Sequence, residues 1–276
     1  MTVPLRCPVR GCGHALHHAG TSQACAIGHA FDVARSGYVN LLQPQDRKSK
    51  TPGDTAAAVA ARRRIVERGI EGNIVGEIAA FAAQVTPATA GFLLDAGCGE
   101  GSVTMALTVA TGLEAVGVDI ATAAVDRAAR RYPGAAWIVA NADREMPFPD
   151  GTFAMVASVV ARRNPAEFAR VLGPDGVCLV VVPGEDDLAE LREALLGAAA
   201  GRDRGTAVEA EFAVGYELIG RRTIRDRVRL DREALDDVLA STYRGARAAQ
   251  RDRAAALTSM EVTLCREALA FRRRSG

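Results

Sequence analysis

Three glycines spaced two apart constrain this chain more than any other feature. Phe92-Leu93-Leu94-Asp95-Ala96 is an apolar run broken by a single acid, and it leads straight into Gly97-Cys98-Gly99-Glu100-Gly101. After it, Ser102-Val103-Thr104-Met105-Ala106-Leu107 reads as a helix. A strand that becomes a helix within so few residues needs backbone conformations and close approaches that only glycine accepts at low cost. A second apolar run, Ala115-Val116-Gly117-Val118, ends in Asp119. Strand, glycine turn, helix, strand and terminal acid form a nucleotide-binding βαβ unit, the acid placed to meet a ribose hydroxyl.

The alternation continues. Strands are expected at 92–95, 115–119, 136–140, 153–160 and 177–182, with helices at 102–110, 122–131 and 165–172 between them. That order predicts a doubly wound α/β sheet. Upstream, the alanine-rich stretch 55–84 predicts two helices broken near Gly69-Ile70-Glu71-Gly72. Downstream the pattern weakens. A helix is expected over 188–200, then a polar loop through Gly205 and two antiparallel strands at 211–219 and 223–230. A helix at 232–240 and a last strand at 262–271 follow, with the arginine-rich gap 241–256 left as loop or helix.

The spacing of the glycines bears on the ligand. A dinucleotide loop has the form G-x-G-x-x-G and brings backbone amides to a pyrophosphate. Here the glycines fall at every second position and Glu100 lies among them, a carboxylate that would repel a pyrophosphate. An acid is compatible with a ligand that carries an ammonium and a sulfonium, so S-adenosylmethionine (AdoMet) fits better than NAD. The loop from Asp95 through Gly97, Gly99, Glu100 and Gly101 is then the expected cofactor cradle. After the third strand, Asn141-Ala142-Asp143 precedes Met146-Pro147-Phe148-Pro149-Asp150-Gly151 and resembles the class I (Rossmann-like) methyltransferase pattern. In that resemblance Asp119 holds the ribose hydroxyls, while Asn141 and the backbone of Ala142 read the adenine.

Composition adds two points. Among 276 residues the net charge is only +1, so no global field draws the chain to nucleic acid; cations are arginine apart from Lys48 and Lys50. No stretch approaches the roughly 20 apolar residues of a membrane span, and nothing near Met1 resembles a signal peptide, so a cytoplasmic protein without membrane contact is expected.

Cysteines are concentrated at the N-terminus. Cys7 and Cys12 form a C-x₄-C pair, and Cys25 and His29 a C-x₃-H pair. Three thiolates and an imidazole suit a closed tetrahedral zinc site. So few apolar residues surround them that a metal would stand in for a core. His14, His17 and His18 are competing ligands by position. Phe31 and Tyr38 either pack beneath the zinc site or stack on an unpaired base. Short strands are expected over 31–42, packed on the zinc knuckle, and the polar stretch 43–54, with Arg47, Lys48 and Lys50, reads as a connector.

The cysteine pairs, followed by Phe31-Asp32, Gly37-Tyr38-Val39-Asn40-Leu41-Leu42, Pro52-Gly53-Asp54, Ala61-Arg62-Arg63 and the loop 95–101, resemble the RlmA family of 23S rRNA (guanine-N1)-methyltransferases. The first cysteine pair is wider than the family's usual C-x₂-C. The resemblance implies structural zinc on Cys7, Cys12, Cys25 and His29, and AdoMet contacts at Gly99 and Glu100, with further ones at Glu71 and Asp187. It divides the chain into a zinc-binding RNA-recognition module (1–45), a linker with helices (46–90) and a Rossmann-like methyltransferase domain (91–276). It also implies a homodimer. The branch that confers tylosin-type macrolide resistance is favoured, acting on nucleotide 748 in the helix 35 hairpin loop. Guanine N1 carries a proton that must leave, and Asp143 is the candidate general base. Two other classes fit the same fold: a small-molecule AdoMet methyltransferase and an inactive AdoMet-binding module.

Overall fold

The computed structural model describes residues 3–46, 53–87, 90–197, 201–242 and 253–274. Arg47, Lys48 and Lys50 of the connector, and residues 243–252 of the arginine-rich gap, lie outside the described residues.

Two sheets form. A four-stranded antiparallel ribbon runs β1 (Leu5–Arg6), β2 (Ala15–Ala19), β3 (Ser22–Cys25) and β4 (Ala30–Asp32) in sequential order. The large sheet contains β5 (Val39–Asn40), β6 (Phe92–Ala96), β7 (Glu114–Asp119), β8 (Ala136–Val139), β9 (Phe153–Val159), β10 (Leu172–Pro183), β11 (Tyr216–Asp231) and β12 (Ser259–Arg273). Its order is β11-β12-β10-β9-β6-β7-β8-β5. Among the described strands of this sheet, β12 alone runs antiparallel, pairing with β10 and β11. Strand order reverses between β6 and β9, so a switch point opens where ligands of doubly wound sheets bind.

Helices α1 (Ala56–Glu67) and α2 (Gly72–Val85) precede β6. Thr55 caps α1 by accepting from the Ala58 amide at 3.2 Å. Next come α3 (Ser102–Thr111), α4 (Thr122–Arg131), α5 (Pro165–Val171), α6 (Ala189–Leu196), α7 (Arg204–Phe212) and α8 (Arg232–Thr242). Helix α5 starts at Pro165 with the Asn164 side chain accepting from Glu167 N, the expected way for proline to open a helix.

Alternation along the strands sorts the two faces. Leu93, Met155, Leu179 and Val181 meet α2, α3 and α6. Their neighbours Leu94, Val156, Cys178 and Val180 face the other way, toward Phe168 of α5 and Phe212 of α7. The N-terminal ribbon shares this second core, since Val3, Leu5 and Leu16 belong to the same apolar cluster as Val116, Val118 and Ile138. The Arg6 amide also donates to Pro147 O at 2.9 Å.

Two expectations need correction. The strands expected at 211–219 and 223–230 are one strand, β11, paired with β12 along its whole length; Glu211 and Phe212 end α7. Gly220, in the gap between the two expected strands, marks a register shift within the single strand. A Cβ there would stand 3.2 Å from Phe81, so glycine serves close approach to α2. The polar loop expected through Gly205 ends sooner, because Asp203 caps α7 by accepting from Thr206 N. Within 31–42, β4 lies in the ribbon and β5 pairs with β8 at the edge of the large sheet, while Val39 still packs in one apolar cluster with Leu16, Cys7 and Cys25.

Gly117 in the middle of β7 shows how tight this packing is. An added Cβ would meet Trp137 Cζ3 at 2.3 Å and Cys98 Sγ at 2.9 Å. Gly117→Ala should therefore destabilise the fold by about 1–3 kcal/mol. Urea unfolding measures this, and pairing the change with Trp137→Leu should recover part of the loss.

Candidate functional site

At the end of β6 the chain turns at Gly97, with φ +92°, and a Cβ there would stand 2.4 Å from Ala161 Cβ. The amides of Gly97 and Cys98 both donate to Val118 O, at 2.8 and 3.1 Å, and tie the loop to β7. Gly101, φ +80°, starts α3 against Trp137, whose ring would be 2.3 Å from a Cβ. Gly99 differs. It has φ +53° and nothing within 4 Å of its Cβ position, so its face of the loop looks onto open space. Internal packing demands two of the glycines; the third leaves room above the loop.

Acids surround that room. Asp119 closes β7, its Oδ2 accepting from Gly99 N at 3.0 Å and its Oδ1 from Ala121 N at 2.8 Å. Burial pushes its carboxyl up, and the same amides pull it back. Asp95 lies beneath the loop, fully buried. Thr104 Oγ1 donates to its Oδ2 at 2.6 Å, while its Oδ1 has no partner among the described residues. Burial pushes this carboxyl up to about 6, against the Thr104 hydrogen bond and with help from the Asp119 charge. Glu100 Oε1 is likewise buried and unpartnered. Burial raises its carboxyl, countered by Arg127 and Arg63. Buried oxygens without donors are costly. A pyrophosphate would worsen the repulsion, whereas a ligand with cationic groups supplies what these oxygens lack. The residues present fit AdoMet.

The next strand ends complete the rim. Ala140 N donates to Asp119 O at 3.1 Å, joining β8 to β7. Asn141 Oδ1 accepts from Asp143 N at 3.0 Å, and Ala142 is half-buried against the core. Asp143 reaches across to the β9 end: Arg162 Nη1 lies 3.3 Å from its Oδ2, and Asn164 Nδ2 donates to its carbonyl at 3.2 Å. Between them Val160 adopts φ +53°, a left-handed conformation that a β-branched residue rarely takes and that clusters at functional edges.

Glu71 and Asp187 lie on the same sheet edge but face Arg266 of β12. Its Nη2 donates to Glu71 Oε1 at 3.0 Å and its Nη1 to Asp187 Oδ1. Cys265 N donates to the same Asp187 oxygen at 2.9 Å, and Arg62 stands 3.8 Å from Glu71. Both carboxylates thus hold the start of α2 and the loop after β10 onto β12. Arg266 was missed by sequence reasoning, although an Arg-Glu pair inside an otherwise apolar strand was a visible signal. Thr104 was missed as well, since a threonine one turn into a helix carries none.

In the ribbon, Cys7 follows β1, Cys25 ends β3, and the ligand atoms of Cys7, Cys12, Cys25 and His29 lie within 4.8 Å of one another. Cys7 Sγ is 3.3 Å from His29 Nδ1, Cys25 Sγ 3.5 Å from the same nitrogen, and Cys12 Sγ 3.9 Å from Cys25 Sγ. A tetrahedron with zinc–sulfur bonds of about 2.3 Å has edges of about 3.8 Å, so one ion fits among the four groups. At Cys25, burial is outweighed by hydrogen bonds from the Ile27 and His29 amides and from Cys12 and Cys7, which bring the thiol down to about 7. His14, His17 and His18 are outside this group.

A doubly wound sheet with one antiparallel strand, an acid-lined glycine cradle at its switch point and a zinc ribbon define an AdoMet-dependent methyltransferase with a zinc module. A methyltransferase-domain family model matches residues 93–176, and a model of the RlmA N-terminal zinc ribbon matches residues 5–50. The 23S rRNA (guanine(748)-N(1))-methyltransferase of Streptomyces fradiae is 38% identical over 239 residues, covering 86% of this chain and 83% of its own. A relative from Micromonospora griseorubida, named for the same guanine-N1 activity on 23S rRNA, is 35% identical, with 83% and 82% covered. The chain belongs to the RlmA family of 23S rRNA (guanine-N1)-methyltransferases. Among solved structures, a protein from Anaeromyxobacter dehalogenans described as a type II methyltransferase shares the fold at TM-score 0.52 and 20% identity, covering 72% of this chain and 95% of its own.

Asp95 makes the cradle pH-dependent. Its folded pKa of about 6 exceeds the ordinary 3.8, so the folded state holds the proton more tightly. That contribution is complete below about pH 4 and lost as pH rises through about 6. The stability of Asp95→Asn relative to the unsubstituted protein should therefore climb across this window by up to about 3 kcal/mol and level off above it. Urea melts at several pH values measure the difference, and a flat one would refute the assignment.

Proposed function

We propose that this chain methylates N1 of a guanine in the helix 35 hairpin loop of 23S rRNA, nucleotide 748, and that the modification gives resistance to tylosin-type macrolides. The observation that carries the reading is the zinc ribbon sharing one core with the sheet that bears the acid-lined cradle. The ribbon is thereby held in fixed relation to the site of transfer. The S. fradiae relative named for guanine 748 supports the choice of nucleotide. In this reading residues 1–45 recognise RNA, 46–90 connect, and 91–276 carry the transfer. The protein acts in the cytoplasm, where ribosomal RNA is found, and as a homodimer; no described helix is long and apolar enough to cross a membrane.

Each group on the rim then has a task. Asp119 holds the ribose hydroxyls, Asn141 and the Ala142 backbone read adenine, and Gly99 leaves space for the ligand above the loop. Asp95 and Glu100 present unpaired oxygens to its positive end. When bound, AdoMet supplies an electrophilic methyl group. Guanine N1 is a poor nucleophile while protonated, so the base must leave its stack and lose that proton. Asp143 takes it. Arg162, 80% exposed and 3.3 Å away, orients that carboxylate and meets the incoming backbone phosphate.

A transcript of the hairpin, incubated with the protein and labelled AdoMet, tests the function. Label should appear as N1-methylguanine at one loop position. Asp143→Asn should lower kcat by about 10²–10⁴-fold while AdoMet affinity, read by equilibrium dialysis, stays within about twofold. Incorporation only into small metabolites, or none, would overturn the RNA reading. Near-normal turnover by Asp143→Asn would remove Asp143 as the base.

A further inference from the structure

A cavity of about 390 Å³ opens where the zinc ribbon meets the edge of the large sheet. It has the size of a small-molecule pocket. Its walls include Phe31 and Asp32 of β4, Tyr38 and Asn40 at β5, and Leu42 and Gln43 just beyond. Both rings are partly packed and partly open to this cavity. Phe31 is half-buried against the shared core and Tyr38 against the Trp137 cluster, yet both line the cavity.

The polar groups have a pattern. Asn40 Oδ1 accepts from Leu42 N at 3.2 Å, so the amide is anchored with its Nδ2 remaining as a donor. Gln43 Nε2 donates to Leu41 O at 3.2 Å, which leaves its Oε1 as an acceptor. Asp32 is exposed and supplies a carboxylate. That carboxylate disfavours a phosphate. Rings for stacking, with acceptors and one donor around them, suit the flat face and amino or imino edge of a nucleobase.

We propose that this cavity binds a second unpaired base of the hairpin loop, one with an amino or imino donor edge, apart from the guanine that is methylated. The inference rests on the RNA reading above. It gives the zinc site a task beyond stability. His29 is two residues from Phe31 and belongs to the ligand group, so the ion fixes the strand that carries one wall of the pocket. Leu42 joins the pocket to Cys98 and Trp137 in one apolar cluster, placing it beside the glycine loop on the β8 side. The Asp143–Arg162 pair bridges the ends of β8 and β9. A loop held at both places would be fixed in register as well as bound.

The test uses the full chain with zinc and hairpin transcripts carrying a single abasic site at each loop position in turn. With the unsubstituted protein, one position other than the methylated guanine should raise KM by roughly 5- to 150-fold, the range of one base–aromatic stack, with kcat little changed. In Phe31→Leu and Tyr38→Leu, KM for the intact hairpin should rise comparably and the penalty at that position should disappear. Asp32→Asn, at an exposed position that does not threaten folding, should weaken preference for a base with a donor edge there. Zinc content and urea melts identify any variant that has lost its fold, and Asp32→Asn then carries the test. An unchanged KM in the variants, or an abasic profile identical to that of the unsubstituted protein, would overturn the pocket while leaving the function intact. No methylation of any hairpin by the unsubstituted protein would overturn both.

Discussion

One carboxylate holds the functional edge of this molecule together. Asp119 ends β7 and accepts from the amides of Gly99 and Ala121, one on each oxygen. The first bond fixes the glycine loop and the second fixes the entry to α4. Backbone groups at such turns have no partner within a helix or strand and must find one elsewhere. Because Asp119 satisfies both from the strand end, the space above Gly99 is held open rather than filled by a collapsing loop. Val118 O reinforces the arrangement by receiving the Gly97 and Cys98 amides. The cradle is therefore built mainly from backbone, which explains why glycine and aspartate appear at these places.

That arrangement concentrates negative charge. The Asp119 charge raises Asp95, and Asp95 and Glu100 each keep a buried oxygen without a donor among the described residues. A folded protein tolerates a few such groups when function needs them. The cationic partners nearby are on other elements: Arg63 on α1 and Arg127 on α4 act on Glu100, while Arg266 holds Glu71 and Asp187. The site is thus an acid-lined space framed by arginines, suited to a ligand with positive charge at its reactive end and RNA phosphates outside it.

The zinc ribbon is not an appendage. Its apolar side chains complete the core on one face of the sheet, and β5 extends that sheet by a strand. A ribbon with few apolar residues is stabilised at one end by the metal and at the other by the sheet. The cavity at this junction belongs to neither part alone.

Local chemistry made much of this legible in the sequence. The glycine loop, the terminal Asp119, the cysteine and histidine spacings and the alternation of strands with helices each depend on a few adjacent residues. Strand pairing does not. The stretch 211–230 reads as two strands with a gap at 220–222, and only β12, distant in sequence, shows that Gly220 lies inside one strand close to Phe81. The same is true of Val39-Asn40, whose partner is β8, and of Arg266, whose carboxylates come from two other elements. The sequence by itself determined that the chain has a nucleotide cradle open to a cationic ligand and a four-ligand metal knuckle, since short-range geometry dictates both. Tertiary structure alone decided how the knuckle sits against the sheet, where Glu71 and Asp187 spend their charge, and that Phe31 and Tyr38 wall a cavity. Those outcomes depend on which surfaces bury one another across long separations, and no local pattern encodes that.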